Sequence, residues 1–207
     1  MSKKIFLVGN PNVGKSVVFS RLTGVDVIVS NYPGTTVEFT KDYVLVGDEK
    51  IEVIDLPGTY SLDPSSKAEE VTVSLLRQEP KSDIVVINVV DATNLERNLY
   101  LTLQLVEEGF PLIVSLNMCD ETSHRGISIE VERLAQLLGV CVVATCAVTG
   151  MGIKPLIAQI KDAAAKPACG RNKEDRWKEI GKIVEAVQRL THKHHTFREL
   201  LEDASVR

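Results

Sequence analysis

The sequence predicts an α/β fold: a mostly parallel sheet with helices on both faces, followed by a small helical appendage at the C-terminus. Three observations predict it. Residues 84–90 and 112–116 are near-continuous apolar runs, the pattern of strands covered on both faces. Segments of helical period separate such runs, as in βαβ units. Directly behind a third apolar run, Ile5-Phe6-Leu7-Val8, stands Gly9-Asn10-Pro11-Asn12-Val13-Gly14-Lys15-Ser16, a complete GxxxxGK[ST] loop where a strand turns into a helix.

The elements follow in order. A helix is expected over 16–23, ending near Gly24. Residues 25–38 show no clear periodicity and contain the turn Asn31-Tyr32-Pro33-Gly34. Two strands, roughly 40–46 and 50–54, are joined by Gly47-Asp48, a link too short for a crossover, so they form an antiparallel hairpin. A shorter strand is expected over 140–145, and helices over 66–78, 94–108, 128–138 and 153–165. After Lys166 the composition changes. Pro167-Ala168-Cys169-Gly170 reads as a hinge, and Trp177, Ile180, Ile183, Val184, Val187 and Leu190 form one apolar helical stripe. A short helix near 197–203 is expected to end the chain. The expected division is a nucleotide-binding domain over 1–166 and a helical subdomain over 167–207, the alternative being one more helix packed on the main domain.

The phosphate loop implies a nucleoside triphosphate. Backbone N–H groups of the loop, those of Asn10, Asn12, Val13, Gly14, Lys15, Ser16 and Val17, would converge on phosphate oxygens at a helix N-terminus. Lys15 would reach the β- and γ-phosphates and the Ser16 hydroxyl would sit on Mg²⁺. Asn117-Met118-Cys119-Asp120, at a strand end, selects the base. The Asp120 carboxylate can accept from guanine N1–H and its 2-amino group, a donor pair adenine lacks. Thr145-Cys146-Ala147-Val148-Thr149-Gly150 resembles the SAxxG segment that closes over guanine, with the Ala147 N–H toward O6 and Cys146 in place of the usual Ser. Asp55-Leu56-Pro57-Gly58 ends another strand. Asp55 would hold Mg²⁺ through water, and the Gly58 N–H would sense the γ-phosphate. In the aperiodic stretch Thr36, with Thr35 as its competitor, is the expected Mg²⁺-coordinating threonine of a loop that collapses after hydrolysis. Five motifs in this order imply a Ras-like, P-loop GTPase domain that takes GTP and GDP.

The phosphate loop, Asn31-Tyr32-Pro33-Gly34-Thr35-Thr36-Val37-Glu38 and Asp55-Leu56-Pro57-Gly58-Thr59-Tyr60-Ser61-Leu62 together resemble the amino-terminal G domain of FeoB, a family of prokaryotic ferrous-iron transporters. The resemblance covers residues 3 to about 165, and more loosely the tail, whose shortness suggests an archaeal or compact member. It implies a partner in a transmembrane iron-permease domain on the same polypeptide, with this part at the cytoplasmic face of the membrane. It also implies stimulation by K⁺, held with the help of Asn12, the ion supplying positive charge between phosphates. Where many small GTPases carry a water-orienting Gln after DxxG, this chain has Thr59, which implies a slow intrinsic rate. Lys15, Asn12, Thr36 and Gly58 are thus the expected catalytic set.

The bulk properties exclude other classes. A net charge of −4 over 207 residues argues against a nucleic-acid binder, and with it against a free-standing ribosome-assembly GTPase. A nucleotide sensor with negligible turnover is a further rival. No apolar run is long enough to span a bilayer, and the first strand starts too close to Met1 for a cleaved leader. The four cysteines show no metal or disulfide spacing and read as reduced thiols. His192, His194 and His195 lack a carboxylate or thiolate partner and read as a solvated helix end. Oligomeric state leaves no trace in the sequence.

Overall fold

The structure is a computed structural model that describes residues 3–24, 28–31, 38–165, 168 and 170–190. Its elements are β1 (Lys4–Gly9), α1 (Lys15–Thr23), β2 (Ile28–Asn31), β3 (Glu38–Val46), β4 (Glu49–Asp55), α2 (Lys67–Gln78), β5 (Ile84–Asp91), α3 (Leu95–Glu107), β6 (Leu112–Asn117), α4 (Cys119–His124), β7 (Ile127–Ile129), α5 (Val131–Leu138), β8 (Cys141–Ala144), α6 (Ile153–Ala158), α7 (Lys173–Val187) and β9 (Gln188–Leu190). Seven strands form one sheet in the order β2-β3-β4-β1-β5-β6-β8. From β4 to β8 all pairings are parallel, and β3 runs antiparallel to both β2 and β4. The expected hairpin is β3–β4, and the expected α/β class holds.

Alternation along β1 makes the sheet two-faced. Ile5 and Leu7 pack with Val18, Phe19 and Leu22 of α1 and with Ile153 and Leu156 of α6. Phe6 and Val8 pack on the opposite face with Val73 and Leu76 of α2 and with Leu101 and Leu105 of α3. Toward the β6 side, Val114 and Leu116 meet α3, α5 and α7 through Leu99, Leu134, Leu138, Ile180, Ile183 and Val187.

The tail helix therefore shares its apolar stripe with α3 and α5. Trp177, at the start of that stripe, is partly exposed and lies over Tyr100 with ring centroids 4.9 Å apart. Arg176 is anchored below it: Nε and Nη2 bond the Glu107 carboxylate at 3.1 and 2.6 Å, and Nη1 donates to the Tyr100 hydroxyl at 3.0 Å.

Five elements differ from the periodicity. Ile28–Asn31 is a strand, held by antiparallel backbone pairing with β3 that leaves no sequence period in so short a run. The expected helix over 128–138 begins only at Val131, because Ile127–Ile129 pairs antiparallel with Gln188–Leu190. The same pairing ends the tail helix at Val187, and Leu190, assigned to its buried stripe, is exposed. Residues 119–124 form an unexpected short helix, and regular helix after Gly152 stops at Ala158. The helix expected near 197–203 lies outside the described residues, as do the three tail histidines.

Candidate nucleotide site

The site is built at the C-terminal ends of β1, β4, β6 and β8, where parallel strands of an open sheet deliver their loops to one edge. The loop after β1 lines a cavity of about 340 Å³ formed by residues 10–12, 14–17 and Gly58. Gly14 caps α1 at φ 82°, and a Cβ there would fall 2.5 Å from the Asn117 amide nitrogen, so only glycine fits. The N–H groups of Val17 and Val18 turn inward onto the Gly14 carbonyl at 3.1 and 3.0 Å, while Asn12 holds φ at 66°. Val13 is buried in the core beneath the loop, and its neighbours Asn12 and Pro11 are exposed.

Asp55, at the end of β4, gathers the loop's charged and hydroxyl groups. Lys15 Nζ donates to Asp55 Oδ1, and both side chains are only about a tenth exposed. Ser16 Oγ donates to Asp55 Oδ2 at 3.1 Å. In this arrangement Lys15 is therefore an ion-pair partner of Asp55. A hydroxyl beside a carboxylate is a hard-oxygen donor set of the kind that fits Mg²⁺, and Ser16 and Asp55 are the residues that would hold it. Among the described residues no group of three or more His, Cys, Asp or Glu could hold a metal.

Gly58 lies against the loop: a Cβ there would approach Pro11 N at 3.1 Å. The next residue, Thr59, donates its N–H to the Gly9 carbonyl at 3.1 Å. The Thr59 side chain is fully buried, its hydroxyl on the Ser61 carbonyl at 2.7 Å and 3.3 Å from Glu69 Oε1. Glu69 also accepts from the Tyr60 N–H at 3.3 Å and from both the Ser65 N–H and hydroxyl, at 2.8 and 2.7 Å. Burial pushes its carboxyl up, but the hydrogen bonds from Ser65, Tyr60 and Thr59 outweigh it, leaving the group below the usual carboxylate value. Gln104 of α3 fixes the far end of the segment, accepting from the Leu62 N–H at 2.8 Å and donating to Asp63 at 3.0 Å.

The opposite end is organised by Asn117. Its Nδ2 donates to the Val13 carbonyl at 2.9 Å and its Oδ1 accepts from the Ala147 N–H at 3.0 Å, joining the phosphate loop to the 145–150 loop. Thr145 supports it at 3.3 Å and is itself held by Ser115 at 2.9 Å. Met118 takes a left-handed φ of 63°, which starts α4 immediately and lifts Asp120 to the surface. The Asp120 carboxylate has no hydrogen-bond partner among the described residues. Cys146 is buried, whereas Val148 is 72% exposed at the loop tip.

The structure thus brings together Asn10, Asn12, Val13, Gly14, Lys15, Ser16, Val17, Asp55 and Gly58 at one end, and Asn117, Met118, Asp120, Cys146, Ala147 and Val148 at the other. Thr35 and Thr36 lie outside the described residues. Three contributors were missed in the sequence. Arg21 of α1 donates from Nε to the Ala147 carbonyl at 2.9 Å and from Nη2 to the Val148 carbonyl, and no motif marks it. Gln104 is equally unmarked. Glu69 carries a signal, since Ser66 and Glu69 have capping-box spacing and Ser66 does accept from the Glu69 N–H at 3.3 Å.

Fold and site together define a P-loop nucleotide-binding domain of the α/β class. More specifically, the chain belongs to the ferrous iron transport protein B family, whose model matches residues 3–160. A fusion of Fe(2+) transport protein A with the Fe(2+) transporter FeoB from Porphyromonas gingivalis is 45% identical over 193 residues, covering 92% of this chain and 22% of the relative. The cytosolic domain of L. pneumophila FeoB superimposes with a TM-score of 0.83 at 33% identity, covering 90% of this chain and 100% of that one. A point mutant of S. thermophilus NFeoB, solved bound to GDP, gives a TM-score of 0.69 at 43% identity, covering 79% of this chain and 60% of that one. The chain spans about a fifth of the length of the curated relatives it matches. Among the described residues no helix is long and apolar enough to cross a membrane.

Proposed function

We propose that the chain binds GTP and GDP, hydrolyses GTP slowly, and serves as the regulatory module of a ferrous-iron transporter at the cytoplasmic face of the membrane. The observation that carries this reading is the Asn117 bracket. It locks the phosphate loop to the base-closing loop, and the exposed Asp120 carboxylate beside it has no hydrogen-bond partner among the described residues. That carboxylate meets the N1–H and 2-amino donors of guanine, and leaving it unpaired penalises adenine. The S. thermophilus relative solved with GDP supports the same base.

On this reading Lys15 leaves Asp55 for the β- and γ-phosphates, and Ser16, Asp55 and Thr36 (or Thr35) hold Mg²⁺. The metal supplies neutralisation of phosphate charge when bound. The Gly58 N–H registers the γ-phosphate. The Thr59 hydroxyl is committed to Ser61 and Glu69, which leaves the residue after DxxG without a water-orienting role and keeps turnover slow. Asn12, held at the cavity wall, contributes to a K⁺ site. The tail from residue 167 onward passes the change toward a transmembrane permease domain on the same polypeptide, and nucleic acid is no partner of this acidic chain.

Single-turnover assays of this chain test the reading. GTP is expected to be hydrolysed and ATP not, and the rate is expected to rise at least severalfold in K⁺ over Na⁺. Equal rates in the two salts remove the Asn12 role; turnover indistinguishable from buffer favours a nucleotide sensor.

A further inference from the structure

Among the described residues, Oδ1 and Nδ2 of Asn10 are the only buried side-chain polar atoms without a hydrogen-bond partner. The residue is 3% exposed, and it lies in the phosphate loop itself. The other buried amides of the sheet's upper edge are paired. Asn88 donates to the Val8 carbonyl and accepts from Thr102, Asn98 bonds the Asp91 N–H, and Asn117 forms the bracket described above. An amide buried with neither donor nor acceptor satisfied opposes the arrangement in which it is found.

Its position says what could satisfy it. The DLPG segment runs along the loop on both sides of Asn10: Thr59 N–H bonds the Gly9 carbonyl at 3.1 Å, and Gly58 abuts Pro11. Asn10 and Gly58 line the same cavity. We infer that Asn10 is a positioning residue for the triphosphate state. When a γ-phosphate draws the Gly58 N–H toward it, the Asn10 amide takes up the displaced backbone of residues 57–60, Oδ1 accepting an N–H and Nδ2 donating to a carbonyl. This rests on the guanine-nucleotide reading above. Thr59 cannot do the same work, because its hydroxyl is already engaged. The amide thus acts as a bias between two arrangements of one segment, disfavoured in the present one and satisfied in the other.

Asn10→Leu, nearly isosteric and apolar, separates this from a static role, with Asn10→Ala as a second variant if the first packs poorly. The measurements are the melting temperature without nucleotide and the dissociation constants for GDP and a non-hydrolysable GTP analogue. The melting temperature is expected to rise by a few degrees, and the analogue's affinity to fall about tenfold more than that of GDP. A lower melting temperature with an equal loss for both nucleotides overturns the inference, since the amide would then be satisfied in every state; an unchanged ratio overturns it as well. GDP binding by the unaltered chain carries the guanine reading on its own, so the two can fail separately.

Discussion

At the base end of the site, Asn117 commits both ends of its amide within the protein, and Arg21 holds the neighbouring carbonyls of Ala147 and Val148. At the phosphate end, Asn10 commits neither to any described residue, and Lys15 rests on the Asp55 carboxylate. The two amides are equally buried and lie on the same sheet edge, so burial does not separate them. What separates them is satisfaction. A fully paired network is rigid and shaped for one ligand, whereas a partly paired one leaves free energy for a second arrangement. On the proposed function, recognition of the base would belong to the first kind of construction and switching to the second.

The largest expected effect comes from removing the recognition group itself. On the proposed reading Asp120→Ala is expected to delete two charge-assisted hydrogen bonds to guanine, about 4 kcal/mol or roughly a thousandfold in affinity. Because Asp120 is exposed and unpaired among the described residues, the melting temperature without nucleotide is expected to stay within a degree or two. Calorimetric titration with GDP checks the first statement and thermal unfolding the second. A large loss of stability would show that Asp120 belongs to the scaffold.

How much of this contrast was legible in the sequence follows from what each part is made of. The loop, Asp55, Asn117 and Asp120 are short-range patterns at the ends of apolar runs, so their strands and their meeting at one edge could be read from spacing. Glu69 was half legible, through its capping-box spacing with Ser66. Arg21, Gln104 and the pairing of Asn117 with both Val13 and Ala147 are long-range contacts that leave no local period. The β7–β9 pair shows the same limit: residues 128–130 and 188–190 continue helical patterns, and tertiary pairing between them overrides that preference.

The next effect breaks the bracket. Asn117→Ala leaves the Val13 carbonyl and the Ala147 N–H buried without partners, about 3 kcal/mol. Unlike Asp120→Ala, it is expected to lower both the melting temperature and the affinity for GDP, because one amide serves fold and site together. Nucleotide affinity falling with stability unchanged would mean that the two loops hold each other by other contacts.

A smaller effect is expected on the switching side. Glu69 carries the 59–66 segment through Tyr60, Thr59 and Ser65, and its carboxyl lies below the usual value. A lowered value in the folded state means that its contribution is complete above the ordinary carboxylate range and is lost as pH falls through the lowered value. Glu69→Gln is expected to cost about 2 kcal/mol near neutrality and to flatten the acid limb of a stability-versus-pH curve. An acid limb identical in the two proteins would place the titrating group elsewhere.

The smallest effect is expected from oxidation of the cysteines in the base loops. Cys119 and Cys146 flank the base loops and are free thiols. Cys119 bonds the Leu116 carbonyl at 3.1 Å, and its thiol is pushed up by burial, with the nearby Asp120 charge and Cys146 adding to the shift. A raised value lowers the thiolate fraction at neutral pH, and the thiolate is the species that reacts. Alkylation at Cys119 is therefore expected to be slower than for an exposed cysteine, and affinity for GDP to change less than twofold between reductant and mild oxidant. A tenfold change would mean that the base end, for all its paired groups, has a second state of its own, and the contrast between the two ends would then be one of degree.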